Sequence, residues 1–91
     1  MEVSKSIVIK NKTGLHARPA ALFVQVANKY ISDITIVKGD QEINGKSIMG
    51  ILMLAAEKGS KIMIRANGDD AQDAINELTD LLMHDTASKG H

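Results

Sequence analysis

Along the chain, runs that alternate apolar and polar positions are interleaved with runs whose apolar positions recur every three to four residues. Residues 3–10 read as a strand, with Val3, Ile7 and Ile9 on one face and Lys5 interrupting it. After a loop from Asn11 to Leu15, Ala17 to about Asn28 reads as a helix whose Leu22, Phe23, Val26, Ala27 and Tyr30 should pack on a sheet. Residues 31–38 are β-branched and alternating, with Ile34 and Ile36 together. Gly39-Asp40 marks a hairpin turn into a very short strand around Glu42-Ile43. Past the Asn44-Gly45 turn, Ser47 offers an N-cap to a short helix from about Ile48 to Glu57, with Gly59 expected as its C-cap glycine. Residues 60–66 form a fourth strand with Ile62 and Ile64 on one face. Gly68 breaks it, Asp69 and Gln72 suggest a capping box, and Ala71, Ala74, Ile75, Leu78, Leu81 and Leu82 make the stripe of a last helix. The polar segment 85–91 is expected to fray.

The order βαββαβα, with one apolar stripe per helix and one apolar face per strand, predicts an α+β open-faced sandwich. An antiparallel sheet carries helices on one side and meets water on the other. One domain spanning 1–91 is expected. The same order without its last helix also describes a ferredoxin-like fold, and periodicity alone does not choose between strand arrangements.

Composition narrows the chemistry. The chain is 44% hydrophobic but has only Phe23 and Tyr30 as aromatics, so the core must be aliphatic. With no cysteine there is neither a disulfide framework nor a thiolate metal site, which fits a cytoplasmic setting. No apolar run suits a membrane span, and the N-terminus lacks a signal-peptide core. A formal net charge of zero argues against binding nucleic acid through phosphate contacts. The charge is unevenly placed, however. Residues 1–30 carry Lys5, Lys10, Lys12, Arg18 and Lys29 against Glu2, while acids crowd residues 66–91. Two solvated faces would explain this, and so would acidic partner surfaces docking on the basic end.

The candidate chemistry sits at Gly14-Leu15-His16-Ala17-Arg18-Pro19-Ala20-Ala21, where the first strand gives way to the first helix. Pro19 is tolerated only in a first helical turn, which puts His16 at or beside the N-cap. There, outward-pointing N–H groups and the helix dipole favour an anion. His16 could be a plain loop histidine. A metal role finds no second ligand at suitable spacing. It could also be a nucleophile that carries a phosphoryl group, because imidazole is substantially unprotonated near neutral pH and the phosphoramidate it forms is labile. Arg18 would then neutralise phosphoryl oxygens.

Ser47 is first an N-cap, but a phosphate there would be well placed as a switch. Ile48, Met49, Ile51, Leu52, Met53 and Leu54 are too many for one narrow stripe. Ile51, Leu52 and Ala55 are assigned to the core side. Ile48, Met49 and Met53 are assigned to an exposed docking patch, joined by Ala17 and Ala20 beside His16. His84 and His91 are given no role. No cofactor or metal is expected.

Gly14-Leu15-His16-Ala17-Arg18-Pro19-Ala20 and Lys46-Ser47-Ile48-Met49-Gly50 together resemble the HPr family, the histidine-containing phosphocarriers of the phosphoenolpyruvate:sugar phosphotransferase system. The likeness runs from about Val3 to Leu82. It implies an antiparallel sheet of order 1-4-2-3. It implies a non-enzymatic carrier, monomeric and cytoplasmic. Such a carrier takes a phosphoryl group from Enzyme I on His16, at Nδ1, with Arg18 assisting, and gives it to the IIA components of sugar permeases. Ser47-Ile48-Met49-Gly50 is similar to the low-GC Gram-positive branch. There an HPr kinase/phosphorylase modifies the serine, and the phosphoserine form serves a LacI-type catabolite control protein. The rival readings are an HPr-like regulatory or nitrogen-branch phosphocarrier and a non-catalytic α/β interaction domain.

Overall fold

The elements follow the predicted order: β1 (Glu2–Val8), α1 (Ala17–Ala27), β2 (Asp33–Lys38), β3 (Gln41–Asn44), α2 (Ile48–Leu54), β4 (Lys61–Asn67) and α3 (Ala71–Met83). The structure is a computed structural model that describes residues 1–10 and 12–83. The polar segment 85–91, His84 and His91 lie outside the described residues. One four-stranded sheet runs β1-β4-β2-β3 with every pairing antiparallel. This is the arrangement that periodicity left open and the family resemblance implied.

Strand register explains the core. Ile7 pairs with Ile62, and Lys5, Ile64, Ile36 and Ile43 form a row straight across the sheet. Val3, Ala66 and Ile34 form the next row. These residues point to the helix face, where Phe23 of α1, Ile51 and Leu54 of α2, and Ile75 and Leu78 of α3 close over them. Phe23 is the only phenylalanine and is fully buried. The opposite face carries Ser4, Ser6, Thr35 and Arg65, with Arg65 bonded to Glu42 at 2.8 Å. That exposed pair contributes little to stability.

Three local expectations are corrected. The second helix stops at Leu54 rather than near Glu57, because Ala55 adopts the left-handed conformation (φ 53°, ψ 42°) and bonds back to Leu52 O at 3.1 Å. Ala55, not Gly59, is therefore the C-cap. Lys38 Nζ lies 3.4 Å from the carbonyls of Leu54 and Ala55, a cation where the helix dipole favours one. The core side of this two-turn helix is Ile51 and Leu54, whereas Leu52 and Ala55 are exposed. Finally, the Asp69–Gln72 capping box does not form. Asp70 precedes α3 and its carbonyl accepts from Ala74 N at 3.0 Å, while Gln72 bonds Asn76 instead.

The Asp70 carboxylate turns away from its own helix to the α1–β2 joint. It accepts from the N–H groups of Ile31 (2.9 Å) and Ser32 (3.0 Å) and from the Ser32 hydroxyl. These bonds, led by the hydroxyl, hold its pKa below the ordinary aspartate value. Glu77 is likewise lowered, first by Lys29 Nζ at 2.7 Å and then by the Tyr30 hydroxyl. The same bond to Glu77 pushes Tyr30 up to about 12. Lys46 Nζ donates to Tyr30 O at 2.7 Å, so α2's leading loop and α3 both anchor residues 29–32.

Candidate functional site

The β1–α1 loop is positioned by backbone bonds to the α2–β4 loop. Ile9 N donates to Ser60 O (2.9 Å), Gly59 N to Ile9 O (2.9 Å), and Leu15 N to Ala56 O (2.8 Å). Gly14 sits at φ +72° with Ala56 and Glu57 pressed against it. A Cβ there would stand 2.3 Å from Ala56 O. The residue must therefore be glycine for both conformational and steric reasons. Leu15 is buried and pins the loop, and His16 N bonds back to Gly14 O at 3.2 Å to complete a tight turn.

His16 emerges as the N-cap of α1, extended (φ −100°, ψ −165°) and exposed. Its side chain makes no capping bond. The first α-helical bond runs from Ala20 N to His16 O at 2.9 Å, so the helix supplies no acceptor to the N–H groups before Ala20. Pro19, buried in this first turn, has no N–H to satisfy. No acid occupies the first turn, and Arg18 lies exposed within it. The assembly is an imidazole beside a helix N-terminus whose first turn carries a cation and no acid, an arrangement suited to a transferable oxyanion.

Ser47 caps α2 as predicted, its hydroxyl accepting from Gly50 N at 3.0 Å. Beyond it, Met49 and Met53 are exposed by 66% and 73%, and Ile48 by 42%, as the docking assignment expects. Leu52 joins them, which the core assignment missed. Its spacing from Ile48, Met49 and Met53 carried the signal, since all four share one side of a two-turn helix. Ala17 is exposed, but Ala20 is fully buried against the core and cannot meet a partner, so its docking assignment is corrected. Lys38 and Lys46 were also missed: both act on backbone carbonyls distant in sequence. No group of three or more His, Cys, Asp or Glu suited to a metal occurs among the described residues.

A family model described as "PTS HPr component phosphorylation site" matches residues 3–84. The chain belongs to the HPr family. The phosphocarrier protein HPr of Neisseria meningitidis is 46% identical over 88% of this chain and 90% of its own length. The HPr-like protein Crh of Halalkalibacterium halodurans is 50% identical over 84% of this chain and 90% of its own. Among solved structures, HPr-C-His of Thermoanaerobacter tengcongensis superposes with a TM-score of 0.86 at 51% identity, covering 89% of this chain and 91% of that one. The chain is thus a member of a phosphocarrier family of the phosphotransferase system. The expectation of a monomer finds no support among HPr relatives, because an HPr from T. tengcongensis was solved as a dimer. Among the described residues no helix is long and apolar enough to cross a membrane.

Proposed function

We propose that this chain is a single-domain phosphoryl carrier that works in the cytoplasm between Enzyme I and the IIA components of sugar permeases, with His16 as the carrying residue. One observation supports this most directly. His16 occupies the N-cap position of α1 yet spends its side chain on no cap, leaving the imidazole exposed beside the helix N-terminus. Neutral Nδ1 attacks the phosphorus of the donor's phosphohistidine. The new P–N bond forms as the donor's P–N bond breaks, and the donor imidazole keeps the electron pair. The N–H groups ahead of Ala20 and the Arg18 guanidinium stabilise the phosphoryl oxygens in transit. The acceptor then repeats the step in the other direction, with protonated imidazole as the leaving group. No net chemistry remains on the chain, which is why it carries rather than catalyses.

The exposed side of α2, with Met49, Leu52 and Met53, supplies an adaptable apolar surface for successive partners. Ser47, at the start of that helix, is the regulatory position, modified by an HPr kinase/phosphorylase and read by a LacI-type catabolite control protein. The presence of Crh among the relatives, described for Bacillus subtilis as the "Catabolite Repression HPr", favours such regulation.

Intact-mass spectrometry after incubation with Enzyme I and phosphoenolpyruvate tests the carrier reading. One added phosphate, removed by acid and absent from His16→Ala, is the expected result. Equal labelling of His16→Ala would overturn it. Met49→Glu should weaken Enzyme I binding while the chain still folds, and unchanged affinity would remove Met49 from the docking surface.

A further inference from the structure

The end of the sheet beside the β1–α1 loop holds a surface that phosphoryl transfer leaves unused. β1 is an edge strand, paired with β4 on one side only. The N–H and C=O groups of alternate residues on its other side point away from the sheet and remain available to another strand. Two adjoining clefts line this edge and share Val8 and Lys10. Their apolar floor includes Val8 and Met83, exposed by 44% and 42%. Around it stand Lys5, Lys10, Lys58 and Lys61, all exposed, and no acid lines either cleft. None of the four lysines is ion-paired among the described residues. A chain of zero net charge has therefore gathered four of its eleven basic residues around these two clefts: Lys5 on β1, Lys10 just past it, Lys61 on the neighbouring β4 and Lys58 in the loop before β4, while Asp80 lines a third cleft that shares Lys5 and Met83.

We propose that the free edge of β1 is a docking site for an extended, acidic segment of a partner protein, which adds there as a fifth strand. Backbone pairing supplies the geometry, while carboxylates on one face of the segment meet Lys5 on the helix side and those on its other face meet Lys61, which pairs with Val8 on the opposite side of the sheet. Specificity comes from Lys5, which points to the helix side of the edge in the same row as Ile64 and Ile36. An incoming strand must place a complementary side chain opposite it. A second copy of β1 is disfavoured in its fullest register. In the antiparallel register that pairs all of Glu2–Val8, Lys5 faces Lys5 of the copy. Nucleic acid is disfavoured because neither aromatic side chain reaches the clefts to stack on bases: Phe23 is in the core, and Tyr30 is bonded to Glu77. A lipid surface is disfavoured because the apolar floor is narrow and set in a strand edge rather than on an amphipathic helix.

The test is an amide chemical-shift titration of the full chain with the peptide acetyl-Glu-Glu-Val-Glu-Val-Glu-Glu-amide, which presents carboxylates on both faces when extended. Its counterpart with lysine replacing glutamate, anionic phosphatidylglycerol vesicles and a short DNA duplex serve as competing probes. Shifts concentrated at residues 4–10 are expected. The Lys10→Glu, Lys61→Glu double variant should lose at least about tenfold in affinity for the acidic peptide and gain for the basic one. Both sites are exposed, and a thermal melt verifies folding. Absence of shifts at millimolar acidic peptide would overturn the proposal. So would shifts confined to α2, binding indifferent to the charge reversal, or vesicles or DNA perturbing the same residues more strongly. Because none of these readouts involves His16 or phosphate, their failure leaves the carrier reading intact.

Discussion

Two helices begin near the proposed partner face, and they treat their N-termini in opposite ways. α2 opens with Ser47, whose hydroxyl takes the N–H of Gly50 at 3.0 Å, the ordinary solution for a helix start. α1 opens with His16, which makes no such bond. A serine, threonine, asparagine or aspartate in that place would stabilise the helix, so α1 forgoes stability that α2 takes. The difference separates a start whose cap is filled from one whose cap is left unfilled, as the proposed carrier role of His16 requires. It also bears on the regulatory proposal. A phosphate on Ser47 would sit on the atom that already caps α2, where a helix N-terminus accommodates negative charge, so the helix should survive modification.

The comparison can be broken most severely at His16 itself. His16→Asn should abolish phosphoryl acceptance in the mass-spectrometric assay while raising stability by about 1 kcal/mol in urea denaturation, because the amide can cap α1. Loss of both would mean that the imidazole has a structural task in α1. Next in size is Gly14→Ala, which combines a left-handed backbone with a contact too close to Ala56 O. It should cost roughly 2–4 kcal/mol and slow labelling of His16 by displacing the loop. The mirror experiment, Ser47→Ala, should cost about 1 kcal/mol and leave phosphoenolpyruvate-dependent labelling of His16 nearly unchanged. A large loss of labelling would show that the two helix starts are coupled. At the other end of α2, Ala55→Gly relieves a left-handed alanine and should stabilise by about 1 kcal/mol.

The third helix start provides the smallest and most condition-dependent effect. Asp70 caps nothing in α3 with its carboxylate, which is committed to Ile31 and Ser32, and Glu77 is bonded to Lys29 and Tyr30. Their hydrogen bonds hold both carboxyls below the ordinary values of 3.8 and 4.5. Their contribution is therefore full above those values and is lost as pH falls through the lower folded ones. Tyr30 behaves in the opposite sense. Its bond contributes fully below the ordinary tyrosine value of 10.0 and is lost as pH rises toward about 12. Asp70→Asn should flatten the acid limb of the stability profile, and Tyr30→Phe the alkaline limb. Unaltered limbs would show that the α1–β2 joint does not depend on these bonds.

Much of this was legible in the residues themselves. The turn dipeptide Gly39-Asp40, the Ser47 cap and the isoleucine pairs 34/36 and 62/64 each act through neighbours one to four positions away, and each appears where expected. The errors share the opposite character. Gly59 suits the end of α2 by local preference, since glycine is the usual left-handed residue, but Ala55 takes that conformation within a turn that buries Ala56 and hands its carbonyl to Leu15. Asp69 and Gln72 had capping-box spacing, yet the helix starts after Asp70, whose carboxylate is drawn to residues far away in sequence. Leu52 is apolar enough for the core, but a two-turn helix buries only Ile51 and Leu54.

At the candidate site, local pattern alone is enough to put a histidine at the mouth of a helix, because Pro19 can occupy only a first turn and Gly14 permits the bend before it. Periodicities of two and about three and a half also determined the count and order of the elements. Local pattern left three things to long-range packing: that strand 4 lies between strands 1 and 2, which the family resemblance alone implied, that Ala20 is buried and out of a partner's reach, and that the histidine loop is fastened to the end of α2. Those outcomes depend on contacts between residues dozens of positions apart, whose energies no local pattern encodes.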